Sequence, residues 1–367
     1  MSERILVIGA GIIGASIAYH LGARGAQVTV LDQGLPATGA SGSSFGWINA
    51  NFVETLEYFH LRRAGIDAYR DLGAAIDLSG IVRWTGCLWW EDEGAALDAH
   101  FATLEVYGYE AEKVDAARFA ELEPALSDPP VAAVLSRIEG AADGARLTRK
   151  LLEEAAKHGA QILPGCAVTG LAMSGGRVIG ADTLIGRITA DQVVIAAGLG
   201  TTALLANVGV TLPVERKTGV ILQTLPTAKV LNHMIMSPDV HAHQLTDGSL
   251  LVGEIFSGGA PSEMLCDDPN GFARDILGRL ERRVPALGAL TLAECRIGQR
   301  PVPADGFPAI GAIPALGNAY VAVMHSGVTL AALVGQLAAT ELLDGANCPQ
   351  LSDFRPSRFG ETADSMS

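Results

Sequence analysis

Eight residues into the chain, Arg4-Ile5-Leu6-Val7-Ile8 runs into the turn Gly9-Ala10-Gly11-Ile12-Ile13-Gly14, after which Ile13, Ile17 and Leu21 recur every four residues. A short β-branched run, a glycine turn and then a helical period read as strand, turn and helix. Gly22 and Gly25 close the helix, and Gln27-Val28-Thr29-Val30-Leu31-Asp32 supplies a second strand, completing a βαβ unit. Glycine at 9 allows the tight turn. At 11 it lets the backbone approach a pyrophosphate, and at 14 it lets the helix pack closely on its strand. The helix N-terminus then offers free N–H groups and a partial positive charge to the phosphates. Asp32, with Gln33 beside it, ends the second strand 18 residues after Gly14, where a carboxylate bonds a ribose hydroxyl and disfavours a 2′-phosphate. Gly9, Ala10, Gly11, Ile12, Ile13, Gly14, Asp32 and Gln33 are thus expected to hold a dinucleotide.

The rest of the chain decides which dinucleotide. A loop of small residues, 37–46, includes Ser41, Ser43 and Ser44 and is able to lie against a ligand. From about 81 to 135 the pattern changes to short extended pieces, such as Gly86-Cys87-Leu88-Trp89-Trp90, with an acidic helix near 116–122. An amphipathic helix near 146–158 precedes Gln192-Val193-Val194-Ile195-Ala196-Ala197-Gly198, a buried strand of the parallel type. Strand-like pieces and a basic helix near 272–284 follow. The strand 319–323, the turn His325-Ser326-Gly327 and an apolar-faced helix then close the chain. An NAD domain usually completes its sheet in one stretch, so this interruption favours FAD. The expected fold is α/β: a discontinuous Rossmann-like domain (1–80, 140–214 and 296–367) and an α+β substrate domain with a mixed or antiparallel sheet (81–139 and 215–295).

Length alone, at 367 residues, calls for two domains or one with a large insertion. A composition 49% hydrophobic and 18% charged, with 43 glycines, excludes a disordered chain. A net charge of -14 argues against a nonspecific hold on nucleic acid or anionic lipid, and means that any anionic substrate needs a local cation. Cys87, Cys166, Cys266, Cys295 and Cys348 form no CxxC pair, which points to free thiols and to no metal site. Glycines interrupt the apolar run 5–23, and polar residues the run 321–343, so neither reads as a membrane span. The cytoplasm is the expected location, with peripheral membrane attachment left open.

Taken together, these residues resemble the D-amino-acid oxidase superfamily, which includes glycine oxidase, sarcosine oxidase and bacterial D-amino-acid dehydrogenases. The resemblance spans nearly the whole chain. It rests on the Gly9 loop with Asp32, on Ala40-Ser41-Gly42-Ser43-Ser44, on Asp143-Gly144, on the strand 193–198 and above all on Gly298-Gln299-Arg300-Pro301-Val302-Pro303-Ala304-Asp305-Gly306-Phe307-Pro308-Ala309-Ile310-Gly311. It implies FAD. It also implies that Arg300 binds the substrate carboxylate, that Val168 meets the adenine half and that Ala197-Gly198 lies beneath the pyrophosphate. By the same resemblance Gly327, Val328 and Thr329, with His325, pass the flavin pyrimidine edge. A guanidinium grips a carboxylate with two parallel hydrogen bonds, which suits the first of these roles. Two roles stay open for His325, facing the flavin ring or capping its turn, and relatives carry other residues there.

Within the family it resembles, sarcosine oxidases of the monomeric type attach FAD through a cysteine near this region; here no cysteine falls within 298–311 and Cys295 precedes it, so the resemblance implies noncovalent FAD. Trp84, Trp89, Trp90, His241, His243 and Gln244 are candidates to line a substrate pocket, with His243 and Trp90 the selected pair. The expected reaction takes a hydride from the α-carbon of an amino acid or N-substituted amino acid to flavin N5, giving an imine that water hydrolyses. Oxygen, a quinone or a protein would then accept the electrons. Oxidation of a 2-hydroxy acid, membership of an opine- or hydroxyproline-type dehydrogenase complex, and homo-oligomerisation remain alternatives or additions.

Overall fold

A computed structural model describes residues 3–253 and 268–360. Its first βαβ unit comprises the strands Arg4–Ile8 and Gln27–Leu31 joined by the helix Ile12–Ala23. Those strands lie inside a six-stranded sheet in the order Ala309–Ala312, Ala319–Val323, Gln192–Ile195, Arg4–Ile8, Gln27–Leu31, Gln161–Leu163. Every pair is parallel except Ala309–Ala312 against its neighbour. Covered on both faces, the central strands are buried and almost wholly apolar beyond their first residues, as parallel strands tend to be. The helix Ile12–Ala23 packs on Gly144–Lys157 and on Gly327–Asp344, and the latter packs in turn on Leu56–Ala75. Ser16 Oγ donates to Ala331 O at 2.6 Å, tying the first helix to the last. Gly327–Asp344 is the one helix among the described residues long and apolar enough to cross a membrane, and two-thirds of it is buried inside the protein.

A second sheet has eight strands in the order Leu292–Pro303, Val214–Thr224, Leu250–Gly253, His241–Gln244, Met234–Met236, Cys87–Trp89, Ala132–Ser136, Ala111–Asp115. It is mixed, because Met234–Met236 runs parallel to Cys87–Trp89 while the other pairs are antiparallel. Its two long strands place Lys217 opposite Arg300 and Gly219 opposite Gly298. The strand Leu292–Pro303 runs unbroken through the boundary expected at 295/296, so residues 296–303 bond to this sheet and not to the nucleotide sheet. A three-stranded meander, Val168–Ser174, Arg177–Thr183 and Gly186–Thr189, and a small sheet of Trp47–Ile48, Gly140–Ala142 and Val82–Arg83 complete the strands. Cys87, Cys166, Cys295 and Cys348 are free thiols, and Cys266 lies outside the described residues.

Candidate active site

A cavity of about 1400 Å³ opens along the carboxyl ends of the parallel strands, where Ile8, Asp32, Ala196 and Val323 line it. That is where open α/β sheets bind their ligands. Gly9 has φ +112°, and a Cβ there would stand 2.3 Å from the carbonyl oxygen of Ala196, so both conformation and space demand glycine. At Gly14 a Cβ would lie 2.0 Å from Gly9 O, which explains its role in packing and why it does not itself line the cavity. Ala10 is likewise outside the lining. Its N–H donates to Asp32 Oδ2 at 2.7 Å, while Gly34 N–H donates to Asp32 Oδ1 at 2.8 Å, so the loop and the end of the second strand fix the carboxylate between them.

Gly11, Ile12, Ile13, Asp32 and Gln33 all border the cavity. Ser41, Ser43 and Ser44 border it from the small-residue loop, and Ser41 Oγ accepts the Ile12 N–H at 2.9 Å at the helix N-terminus. Val168, Ala197 and Gly198 form the wall beyond Asp32. Free first-turn N–H groups, a fixed carboxylate at the strand end and a glycine cradle fit the pyrophosphate and ribose of a dinucleotide.

At the other end stand Arg300, His325, Gly327, Val328 and Thr329. Arg300 donates through Nη2 to Thr218 O at 3.2 Å and through Nε to Lys217 O at 3.5 Å. Among the described residues it has no carboxylate partner, and burial lowers its pKa. His325 is pulled down to about 4 by burial and then by the charges of Arg300, Arg62 and Lys217, which keeps its imidazole neutral near pH 7. Ser326 makes no capping bond to the helix Gly327–Asp344, and its Oγ accepts from Tyr58 OH at 2.8 Å. Thr329 Oγ1 donates to Trp47 O at 3.2 Å and accepts Asn49 N–H at 3.3 Å.

Two expected substrate contacts are elsewhere. His243 lies in the core of the eight-stranded sheet, its Nε2 2.9 Å from Phe45 O and its Nδ1 2.8 Å from Arg83 Nη2, and burial beside Arg83 holds it near 3. Trp90 is 1% exposed and packs edge-on against Phe119. Trp84, Trp89, His241 and Gln244 are also absent from the lining. The strands that carry most of these residues are buried on both faces, so alternation along them points no side chain into the cavity.

Other residues line this part of the cavity. Tyr58 and Arg62 come from the helix Leu56–Ala75, Lys217 from the strand facing Arg300, and Trp47, Asn49 and Asn51 from the segment after the small-residue loop. Thr55, whose Oγ1 accepts Tyr58 N–H, followed by Tyr58, Leu61, Arg62, Gly65, Ile66, Tyr69 and Leu72 at helical spacing, is the sequence signal for that helix.

Comparisons with known proteins agree over the full length. The uncharacterized oxidoreductase YurR of Bacillus subtilis (strain 168) is 26% identical, covering 96% of this chain and 98% of that protein. The glycine oxidase of Pseudomonas putida (strain KT2440) is 28% identical, covering 94% and 96% respectively. The solved structure of an L-amino acid deaminase from Proteus vulgaris superposes with a TM-score of 0.88 at 20% identity, covering 98% of this chain and 94% of that one, a likeness of fold. Residues 4–341 match the DAO family of FAD dependent oxidoreductases, so the chain belongs to that family.

Proposed function

We propose that the chain oxidises the C–N bond of a small amino acid or N-substituted amino acid. The observation that carries this reading is Arg300, a partly buried guanidinium that borders the cavity and, among the described residues, donates to backbone carbonyls with no carboxylate partner, in a chain of net charge -14. Such a group calls for a carboxylate from the ligand, and its planar fork fixes that carboxylate's orientation. The chemistry that bound FAD would supply is acceptance of a hydride from the substrate's α-carbon. The chain's own contributions are orientation by Arg300, a neutral His325 that leaves the substrate amine without a competing cation at that position, and the first-turn N–H groups of Gly327–Asp344. Gly9, Gly11, Ile12, Ile13, Asp32, Gln33 and the serines at 41, 43 and 44 would hold the cofactor, with Val168, Ala197 and Gly198 beyond them. In this reading FAD is noncovalent: Cys295 lies outside the cavity, and Cys166 borders it beside Asp32, at the ribose end.

The test is anaerobic bleaching of the purified yellow protein across D-, L- and N-alkyl amino acids, opines and 2-hydroxy acids. Reduction by an amino acid, with the matching keto acid or aldehyde and the released amine recovered, supports the reading. Reduction by 2-hydroxy acids alone overturns it. Admitting oxygen after bleaching separates an oxidase from a dehydrogenase.

A further inference from the structure

Arg62 is 7% exposed and borders the cavity. All of its hydrogen-bond acceptors are uncharged. Nε donates to Asn49 O at 3.1 Å, Nη1 to Asn51 O at 2.9 Å and Nη2 to Asn49 Oδ1. The Tyr58 ring faces its guanidinium at 5.5 Å. Among the described residues no carboxylate pairs with it. Glu139, which feels its charge, spends both oxygens on Trp47 and Tyr109. A chain with 40 acidic residues has therefore left a buried cation uncompensated at the wall of its ligand cavity, an arrangement that is costly unless a counter-charge arrives with what the cavity binds.

The location of Arg62 says which part of the ligand that is. Asn49, which holds the guanidinium, donates its own N–H to Thr329 Oγ1 in the first turn of Gly327–Asp344. Gly327 lies against Ile12 and Ile13, a Cβ there being 3.6 Å from each, so the N-termini of the first and last helices adjoin. A dinucleotide with one ribose at Asp32 and its pyrophosphate at Ile12 and Ile13 must lay its other half along Gly327 to Thr329. That half is the flavin. A hydride delivers two electrons and one proton, so the flavin gains one negative charge on reduction.

We propose that Arg62 is the counter-charge for reduced FAD, its positive charge at the Asn49 and Thr329 turn favouring the reduced, negatively charged state. The proposal depends on FAD and not on the identity of the substrate.

The test uses the substrate-free holoenzyme, with sulfite as the probe because it adds to oxidised flavin and leaves it negatively charged. Arg62→Met is expected to raise the sulfite dissociation constant at least tenfold and to lower the two-electron midpoint potential by about 30 mV for each tenfold loss of reduced-state affinity. Arg62→Lys, which keeps the charge and loses the fork, is expected to stay near the wild type. Asn49→Asp neutralises the charge in place, since Oδ1 still accepts from Arg62 and from Asn51 N–H. It is expected to reproduce the Met effect, and it carries the test if Arg62→Met does not fold. Unchanged sulfite affinity and potential in Asn49→Asp or in a folded Arg62→Met overturn the proposal, as does Arg62→Lys behaving like Arg62→Met. A rise in KM confined to dicarboxylic amino acids, with both flavin readouts unmoved, also overturns it, because the charge would then serve the substrate.

Discussion

Trp47 donates its indole N–H to Glu139 Oε2 at 2.6 Å, so a side chain in the cavity wall rests on a carboxyl that is itself wholly buried. Tyr109 OH donates to the other oxygen at 2.6 Å and accepts Ala50 N–H at 3.2 Å. Burial pushes Glu139 up to about 7 from an ordinary 4.5, against the opposing pull of Tyr109, Trp47, Arg62 and Cys87. The folded protein therefore keeps this proton between those two values while the unfolded chain loses it. The associated stability is fully present below the unfolded value and is lost as pH rises through 7, by at most about 3 kcal/mol. Glu139→Gln is expected to abolish this dependence, so the difference in Tm between wild type and variant should change between about pH 5 and pH 7 and level off above that. A constant difference across that range would refute the assignment.

Arg300→Leu is expected to raise KM for a carboxylate substrate by about two to three orders of magnitude, the usual effect of deleting one partner of a desolvated charge pair. The visible spectrum of bound FAD should stay intact. Arg300→Lys should fall between the two, since an ammonium keeps the charge but cannot make the paired contact. Steady-state kinetics with a flavin spectrum for each variant decide the matter. Parallel loss of FAD from Arg300→Leu would mean that the arginine supports the cavity and not the ligand.

How far these features were legible in the sequence depended on whether a contact is local. The loop at Gly9 to Gly14 and its acid at Asp32 lie within one βαβ unit, and the parallel strands flanking it are apolar runs because both their faces are covered. The helix Leu56–Ala75 carries the same kind of periodic signal, yet its site residues, Tyr58 and Arg62, are polar and read locally as a solvated face. They turn inward only because Ser326 and Asn49, far away or on another segment, receive their donors. His243 misleads for the opposite reason. A histidine in an extended segment suggests a pocket, but cross-strand neighbours bury the whole of His241–Gln244. The strand Leu292–Pro303 crosses an expected boundary because hydrogen-bond register with Val214–Thr224, invisible along one strand, outweighs the change in composition.

His325 provides a second pH-dependent expectation, with the opposite sign. Its pKa is lowered to about 4 from 6.5 by burial and by three cations, so the unfolded chain takes up this proton first as pH falls. Its contribution to stability is intact above about 6.5 and declines toward 4. For catalysis, the imidazole is neutral throughout the working range and contributes no ionisation to the pH profile of kcat/KM between about pH 5.5 and pH 8. His325→Asn is expected to preserve the shape of that profile even if the rate changes. Disappearance of an acid limb in the variant would show that the histidine titrates during turnover.

The helices Leu56–Ala75 and Gly327–Asp344 pack tightly at Gly65, where an added Cβ would stand 2.7 Å from Thr329 O and 3.4 Å from Leu330 Cδ2. Four residues at helical spacing, Tyr58, Arg62, Gly65 and Tyr69, thus meet the Ser326 to Thr329 turn directly or through Asn49, with Tyr69 OH donating to Val328 O at 2.5 Å. Gly65→Ala raises helix propensity by about 1 kcal/mol but forces that turn or the helix to move. Gly73, on the same helix, meets nothing closer than Leu78 Cδ1 at 3.9 Å, so Gly73→Ala gains the propensity without the clash. The pair is expected to separate cleanly: Gly73→Ala raises Tm and leaves FAD affinity unchanged, while Gly65→Ala weakens FAD binding at least several-fold. Thermal unfolding and fluorescence titration of apoprotein with FAD measure both quantities. Equal FAD affinities in the two variants would show that this helix does not set the turn.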